Sequence, residues 1–432
     1  MNGYGAVILA ALLGTFLLRL VADVLNLRAR SPDLPQEMRD VFDVDRYRRA
    51  QEYTLARTRF GIFTATFDLA VLLIFWFGGG FGWLDRLVCL LELPPIATGL
   101  LYAAALAAGM ELLSLPFGFY YTFGIEERFG FNRTGLRTFV QDRFKAYLLA
   151  LVLGGGLLAG LLALLHGMGP HAWLWCWGGY TAFLLGLQYV APTWLMPLFN
   201  RFTPLHDGEL KEAILRYTGE VVFPVSGIFV IDGSRRSSKA NAFFAGFGKN
   251  RRIALYDTLI GQHTVAELVA ILAHEVGHCK KKHVLRGMVL GIAQAGFFFW
   301  LLSFFVHSEG LAAAFYLEQP KIYTGLIFFG LLASPLHFLF SLLLHALSRR
   351  AERQADAYAA KTTGDPSSLV AALKKLASSN LSNVTPHPFF VLLNHSHPPI
   401  LQRIRALTGG GAEKQSPESC LDAAAQRTPS VE

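Results

Sequence analysis

The chain has 432 residues, 53% of them hydrophobic and only 16% charged, and carries a formal net charge of +8. Soluble domains are closer to ~25% charged, so this composition excludes an ordinary soluble enzyme. The basic surplus sits in short segments between apolar runs, the pattern of cytoplasmic loops in membrane proteins, and nucleic acid is excluded as a partner.

Seven apolar stretches stand out in chain order: Tyr4–Leu27, Phe60–Trp83, Ile96–Phe123, Phe144–Leu165, Ala172–Leu195, Val284–His307 and Ile322–Leu347. Each is around or above the ~20 residues that a helix needs to cross the hydrocarbon layer. The expected fold class is therefore an all-α polytopic membrane protein with seven transmembrane helices and a small α+β region outside the bilayer. The first stretch has no charged run before it and no small-residue cleavage site after it, so it reads as a retained span. Cys89, Cys176, Cys279 and Cys420 are scattered, which argues against a disulfide framework or a cysteine metal site.

With seven spans, segments 28–59, 124–143, 196–283 and 348–432 share one face. That face carries Arg28, Arg30, Arg39, Arg46, Arg48, Arg49, Arg57, Arg59, Arg128, Arg133, Arg137 and Arg143, whereas the opposite face has little beyond Arg86 and Lys321. The asymmetry places the N-terminus outside and the large polar segments, with the C-terminus, in the cytoplasm: the inner membrane in a bacterium, the endoplasmic reticulum in a eukaryote.

The chain divides into five spans (1–196), a polar region (197–283), two further spans (284–347), a helical C-terminal region (348–408) and a tail (409–432) of disordered composition. The polar region should hold a short helix near Gly208–Tyr217, and alternation marks Ser226–Ile231 and Asn241–Phe247. Phe247–Arg251 reads as a tight turn into Arg252–Tyr256, closing a hairpin. Thr264-Val-Ala-Glu267 is a capping box that starts a helix. Further helices are expected at Leu347–Thr362 and Ile400–Leu407. Pro429-Ser-Val-Glu432 lacks a cysteine four from the end, so no prenylation signal is read there.

The chemistry concentrates in His274-Glu275-Val276-Gly277-His278. Four residues along a helix turn by ~40°, so both imidazoles point to one side, as two ligands of one zinc ion must. Glu275 projects to the flank, where it can reach a metal-bound water. Catalytic zinc takes three protein ligands and keeps a position for water. Glu352 is the candidate third ligand, and Asp356, one turn on, can accept a hydrogen bond from the far nitrogen of a ligating histidine. One zinc per chain is the expected cofactor. Arg19, Asp68, Glu111, His337 and His345 fall within spans, where polar groups face an interior or a water-filled cavity.

Seven motifs in order carry a resemblance: Ile125–Asn132, Pro197–Pro204, Asn241–Gly246, Arg252–Leu259, the histidine motif, Glu352–Asp356, and His397-Pro-Pro399 with Arg403. Together they resemble the CAAX prenyl protease 1 family of membrane zinc endopeptidases. The resemblance implies seven helices around an intramembrane chamber with the zinc facing its interior. It also implies an edge strand at Asn241, Ala242, Phe243 and Phe244 that pairs with substrate, and His397 and Arg403 beside the zinc. Such an edge strand holds an extended peptide through its backbone, and a donor near the metal stabilises a developing oxyanion. The expected partners are the lipid bilayer and a peptide or protein substrate, prenylated or membrane-associated.

The function expected is hydrolysis of peptide bonds by a metal-activated water, with Glu275 as base. In a bacterial host, turnover of membrane proteins is the alternative. An intramembrane-cleaving protease is disfavoured because the motif runs into Cys279-Lys-Lys-Lys-His283 and the apolar run before it is too short to span. A seven-span transporter or receptor with a non-catalytic zinc is the rival of another class.

Overall fold

The structure, a computed structural model, describes residues 1–245 and 252–409. Among these, six helices are long and apolar enough to cross a membrane: Gly3–Arg28, Val44–Phe77, Pro95–Glu126, Leu136–Gly167, Gly169–Phe199 and His283–Phe305. The seventh predicted span is broken. Ile322–Leu332 and Ser334–Thr363 meet at 52°, and counted together as one span they bring the number to seven. The break has a local cause: Pro335 has no backbone N–H to carry the earlier helix onward, and its fixed φ suits the first turn of a new one. The predicted separate helix at Leu347–Thr362 is consequently the far half of Ser334–Thr363, continuous with the span.

One boundary differs clearly from the sequence reading. The second span is Val44–Phe77, not Phe60–Trp83, because Gly78 and Gly79 stop it, with Gly79 at φ 72°. Gly80–Cys89 then forms a helix of its own, pinned where Lys321 Nζ and the Tyr323 hydroxyl donate to Asp85 at 2.7 and 2.5 Å. Around it Trp76, Phe81, Phe315 and Phe328 form a buried aromatic core.

The spans bury little against each other: 0–17% of each apolar window lies inside the protein. The remaining apolar surface needs lipid or a hollow interior. A cavity of about 840 Å³ lies between Gly169–Phe199, His283–Phe305 and the broken span. Three of the intramembrane polar residues have partners, Arg19 among them with its guanidinium 6.0 Å from the centre of the Phe338 ring. Glu111 takes Arg143 and, at 2.6 Å, the Tyr147 hydroxyl, while the His337 ring stacks on Phe298 at 3.9 Å.

Outside the membrane segments a four-stranded sheet forms from β1 (Phe202–Pro204), β2 (Gly227–Ile231), β3 (Ala242–Ala245) and β4 (Arg252–Tyr256), ordered β1-β2-β4-β3. β3 and β4 pair antiparallel, whereas β2 and β4 are parallel, so the predicted hairpin is embedded in a mixed sheet. The predicted turn Phe247–Arg251 and the tail beyond residue 409 lie outside the described residues. Asn241 precedes β3, but its carbonyl accepts from Tyr256 N–H at 3.2 Å and extends the ladder by one bond.

Against the sheet packs the helix Val265–Lys280. Thr264 caps it, the Glu267 side chain returns to the Thr264 N–H, and Leu268, Leu272, Ala273 and Val276 are buried. A helix at Glu209–Glu220 completes this layer.

Candidate metal centre

His274 and His278 leave one face of Val265–Lys280 with their Nε2 atoms 3.1 Å apart. Glu352 approaches from Ser334–Thr363, with Oε1 3.2 Å from His278 Nε2 and Oε2 3.4 Å from His274 Nε2. In a tetrahedral centre with bonds of ~2.0–2.1 Å the donors lie about 3.3 Å from each other. The three groups thus already have the mutual spacing that one first-row cation requires, and among the described residues they are the group of histidine, cysteine and acidic side chains able to hold one. Protein atoms alone leave the set unfinished, since Glu352 Oε2 is buried without a hydrogen-bond partner.

The surrounding groups fix these donors. His274 Nδ1 lies 2.8 Å from Asp356 Oδ1; this bond holds the Nδ1 proton and turns the Nε2 lone pair inward. Arg403, on the helix Ile400–Leu407, clamps the same carboxylate with Nε and Nη2 at 2.8 and 2.6 Å. Its Nη1 is 3.6 Å from Glu352 Oε2. A bidentate guanidinium fixes orientation as well as charge. His278 is held from the other side: its Nδ1 is 3.2 Å from His283 Nδ1, and His283 Nε2 is 2.9 Å from Gln354 Oε1.

The two helices approach closely because residue 277 is glycine. A Cβ there would sit 3.1 Å from Ala355 Cα and 3.2 Å from its carbonyl oxygen. That contact brings Glu352 and Asp356 within reach of the histidines.

Burial opposes charge on His274, but the hydrogen bond to Asp356 and the Glu352 carboxylate beside it outweigh it and raise its pKa to about 9. With no cation, the site therefore keeps a proton where positive charge is wanted. Glu275 is different. Burial raises its pKa, the two histidines pull it partly back, and among the described residues it forms no ion pair or hydrogen bond. Its carboxylate lines a cavity of about 530 Å³ together with the three donors, His397, Arg403, Asn241 and Ala242.

All the candidate residues whose side chains are described converge here. His397 reaches Glu352 Oε1 with its Nε2 at 3.2 Å and is exposed, lining the cavity. Arg403 is behind His274 rather than in front of it, bonded to Asp356. For Phe243 and Phe244 the structure gives the backbone only, in β3. Sequence reasoning missed Gly277, His283 and Gln354. Gly277 was legible in principle, as a glycine inside a helix interior where packing must excuse it; His283 was hidden in a run of lysines.

Membrane-crossing helices and a buried His–Glu–His cluster beside an unpaired glutamate define a membrane-embedded metallopeptidase. Comparison makes the assignment specific. Residues 23–201 match the model of the CAAX prenyl protease N-terminal region with five membrane helices, and residues 204–410 match peptidase family M48. The chain is 34% identical over 393 residues to a CAAX prenyl protease 1 homolog of Oryza sativa subsp. japonica, covering 89% of this chain and 92% of that one. It is 32% identical over 404 residues to CAAX prenyl protease 1 of Saccharomyces cerevisiae, with 87% and 88% covered. The crystal structure of S. mikatae Ste24p superposes with a TM-score of 0.89 at 29% identity, covering 94% of this chain and 99% of that one. The chain belongs to peptidase family M48, among the CAAX prenyl protease 1 homologues.

Proposed function

We propose that the protein is a zinc endopeptidase that removes the C-terminal tripeptide of prenylated, membrane-associated proteins, with its site on the cytoplasmic side. The observation that carries the reading is the convergence of His274, His278 and Glu352 at 3.1–3.4 Å beside the unpaired Glu275. The soft–hard mix of two imidazoles and one carboxylate suits zinc, which when bound polarises the scissile carbonyl and lowers the pKa of its water to about 7. Glu275 takes the proton from the attacking water and passes it to the leaving amine, and its raised pKa suits both transfers. His397, exposed in the cavity, donates toward the oxygen on which charge develops. Arg403 acts through Asp356 and Glu352 as a positioning residue. Asn241 and Ala242 open the edge strand β3, and an extended substrate pairs with it by backbone hydrogen bonds.

The test is incubation of the purified protein with a farnesylated peptide and the same peptide without the lipid. Mass spectrometry should find a free tripeptide from the first, abolished by a zinc chelator and restored by zinc. Absence of any cleavage would sink the reading; equal cleavage of both peptides would remove the lipid from it. Orientation is checked separately. A cysteine placed in the 308–321 loop should be labelled from outside by an impermeant thiol reagent and one in the 28–59 segment should not, following the arginine asymmetry.

A further inference from the structure

The metal cavity opens into a second one of about 840 Å³, with which it shares Asn380, Ser382, His397 and Ile400. Two cationic side chains line that neighbour, Arg57 and Lys239, against one carboxylate, Asp23. Lys239 is already engaged: its Nζ is 2.7 Å from both Glu126 Oε2 and the Tyr53 hydroxyl. Arg57 is not. Its guanidinium lies 5.3 Å from the centre of the Tyr53 ring, the residue is exposed, and among the described residues it pairs with no carboxylate. Lys239 is matched by Glu126, and Asp23 lies in the field of Arg19, so neither carboxylate is paired with Arg57.

The chain direction says what an anion would be doing there. Lys239 stands two residues before Asn241, and Asn241 and Ala242, where β3 begins, border the metal cavity. A peptide paired antiparallel to β3 runs its C-terminal end toward the start of that strand, hence toward Lys239 and Arg57. Three extended residues beyond the cleaved bond span about 10 Å. We propose that Arg57, set beside Lys239, binds the free α-carboxylate of the substrate and so directs cleavage to a bond near the C-terminus. A planar guanidinium matches a carboxylate in two parallel hydrogen bonds. The inference rests on the peptidase reading above and adds to it a recognition element that neither the metal cluster nor the edge strand supplies.

The experiment compares kcat/KM for two prenylated peptides that differ only in ending as a free acid or a carboxamide, using the full-length protein in detergent. The wild type should prefer the acid by about tenfold or more, the scale of one charge-assisted hydrogen bond. Arg57→Gln should remove most of that preference, and Arg57→Lys should keep part of it. Lys239→Gln is the poorer probe, because it also breaks the pair with Glu126. Metal content measured alongside reports whether the site survives. Equal turnover of acid and amide by the wild type, or an undiminished preference in Arg57→Gln, overturns the proposal. If the wild type cleaves neither peptide, the peptidase reading itself falls, and this inference with it.

Discussion

The membrane half and the metal half of this molecule are held together differently. In the spans at most 17% of each apolar window is buried within the protein, and Leu112 in Pro95–Tyr120 is 72% exposed. In Val265–Lys280, by contrast, half of the sixteen residues are buried, among them Glu267 and His274. The two most deeply buried charge-bearing groups of that helix have partners, Glu267 taking Lys375 at 2.7 Å and His274 taking Asp356, whereas Glu275 has none. The membrane half relies on lipid and tolerates looseness. The metal half is close-packed and charge-paired, and there a displacement of an ångström at a reacting group costs large factors in rate.

The sharpest way to break this comparison is to alter the site's own charges. Glu275→Gln should retain the metal, since the carboxylate bonds to none of the three donors, while kcat falls by roughly 10²–10⁴. Glu352→Ala should lose both metal and activity, because two histidines alone leave the donor set incomplete. Metal analysis by mass spectrometry beside peptide turnover checks both. Full metal occupancy in Glu352→Ala would remove it as a ligand.

Packing comes next. Gly277→Ala places a methyl 3.1 Å from Ala355 Cα, backbone that cannot swing aside. The expected cost is about 1–3 kcal/mol of stability, with lower metal affinity as Glu352 is pushed outward. A thermal shift in detergent and a metal titration measure the two; an unchanged Tm would show that the two helices are not locked at this point.

A smaller, graded effect follows pH. The pKa of His274 is raised to about 9 in the metal-free protein, above its ordinary 6.5. The stabilisation this brings is full below pH 6.5 and is lost as pH rises through 9. A cation must displace that proton, so apparent metal affinity should weaken by about tenfold per unit as pH falls below 9. A flat affinity between pH 7 and 8.5 in a competitive chelator titration would contradict it. The least effect is expected in the membrane half, where Leu112→Ala should stay within about 0.5 kcal/mol, as surface positions usually do. A larger loss of Tm would mean that this face meets protein rather than lipid.

Much of the design is written locally. The long apolar runs, the capping box at Thr264 and the i, i+4 histidines follow from short-range physics: hydrocarbon thickness, unsatisfied N–H groups at a helix start, and the helical repeat. Where span and loop exchange a few residues, the local cue was weaker. Gly78–Gly79 ended the second helix earlier than hydropathy did, and Pro335 bent the last span by 52°. What no stretch of sequence contains is the meeting of segments 74 residues or more apart. His278 and Glu352 come together through two membrane crossings and a glycine contact. Arg403 joins from the chain's far end, and Arg57 borders the neighbouring cavity from the second span. Side-chain donors can be guessed from their spacing on one helix. Their convergence from two separate helices, with Arg403 behind them on a third, depends on packing, and that only the tertiary structure decides.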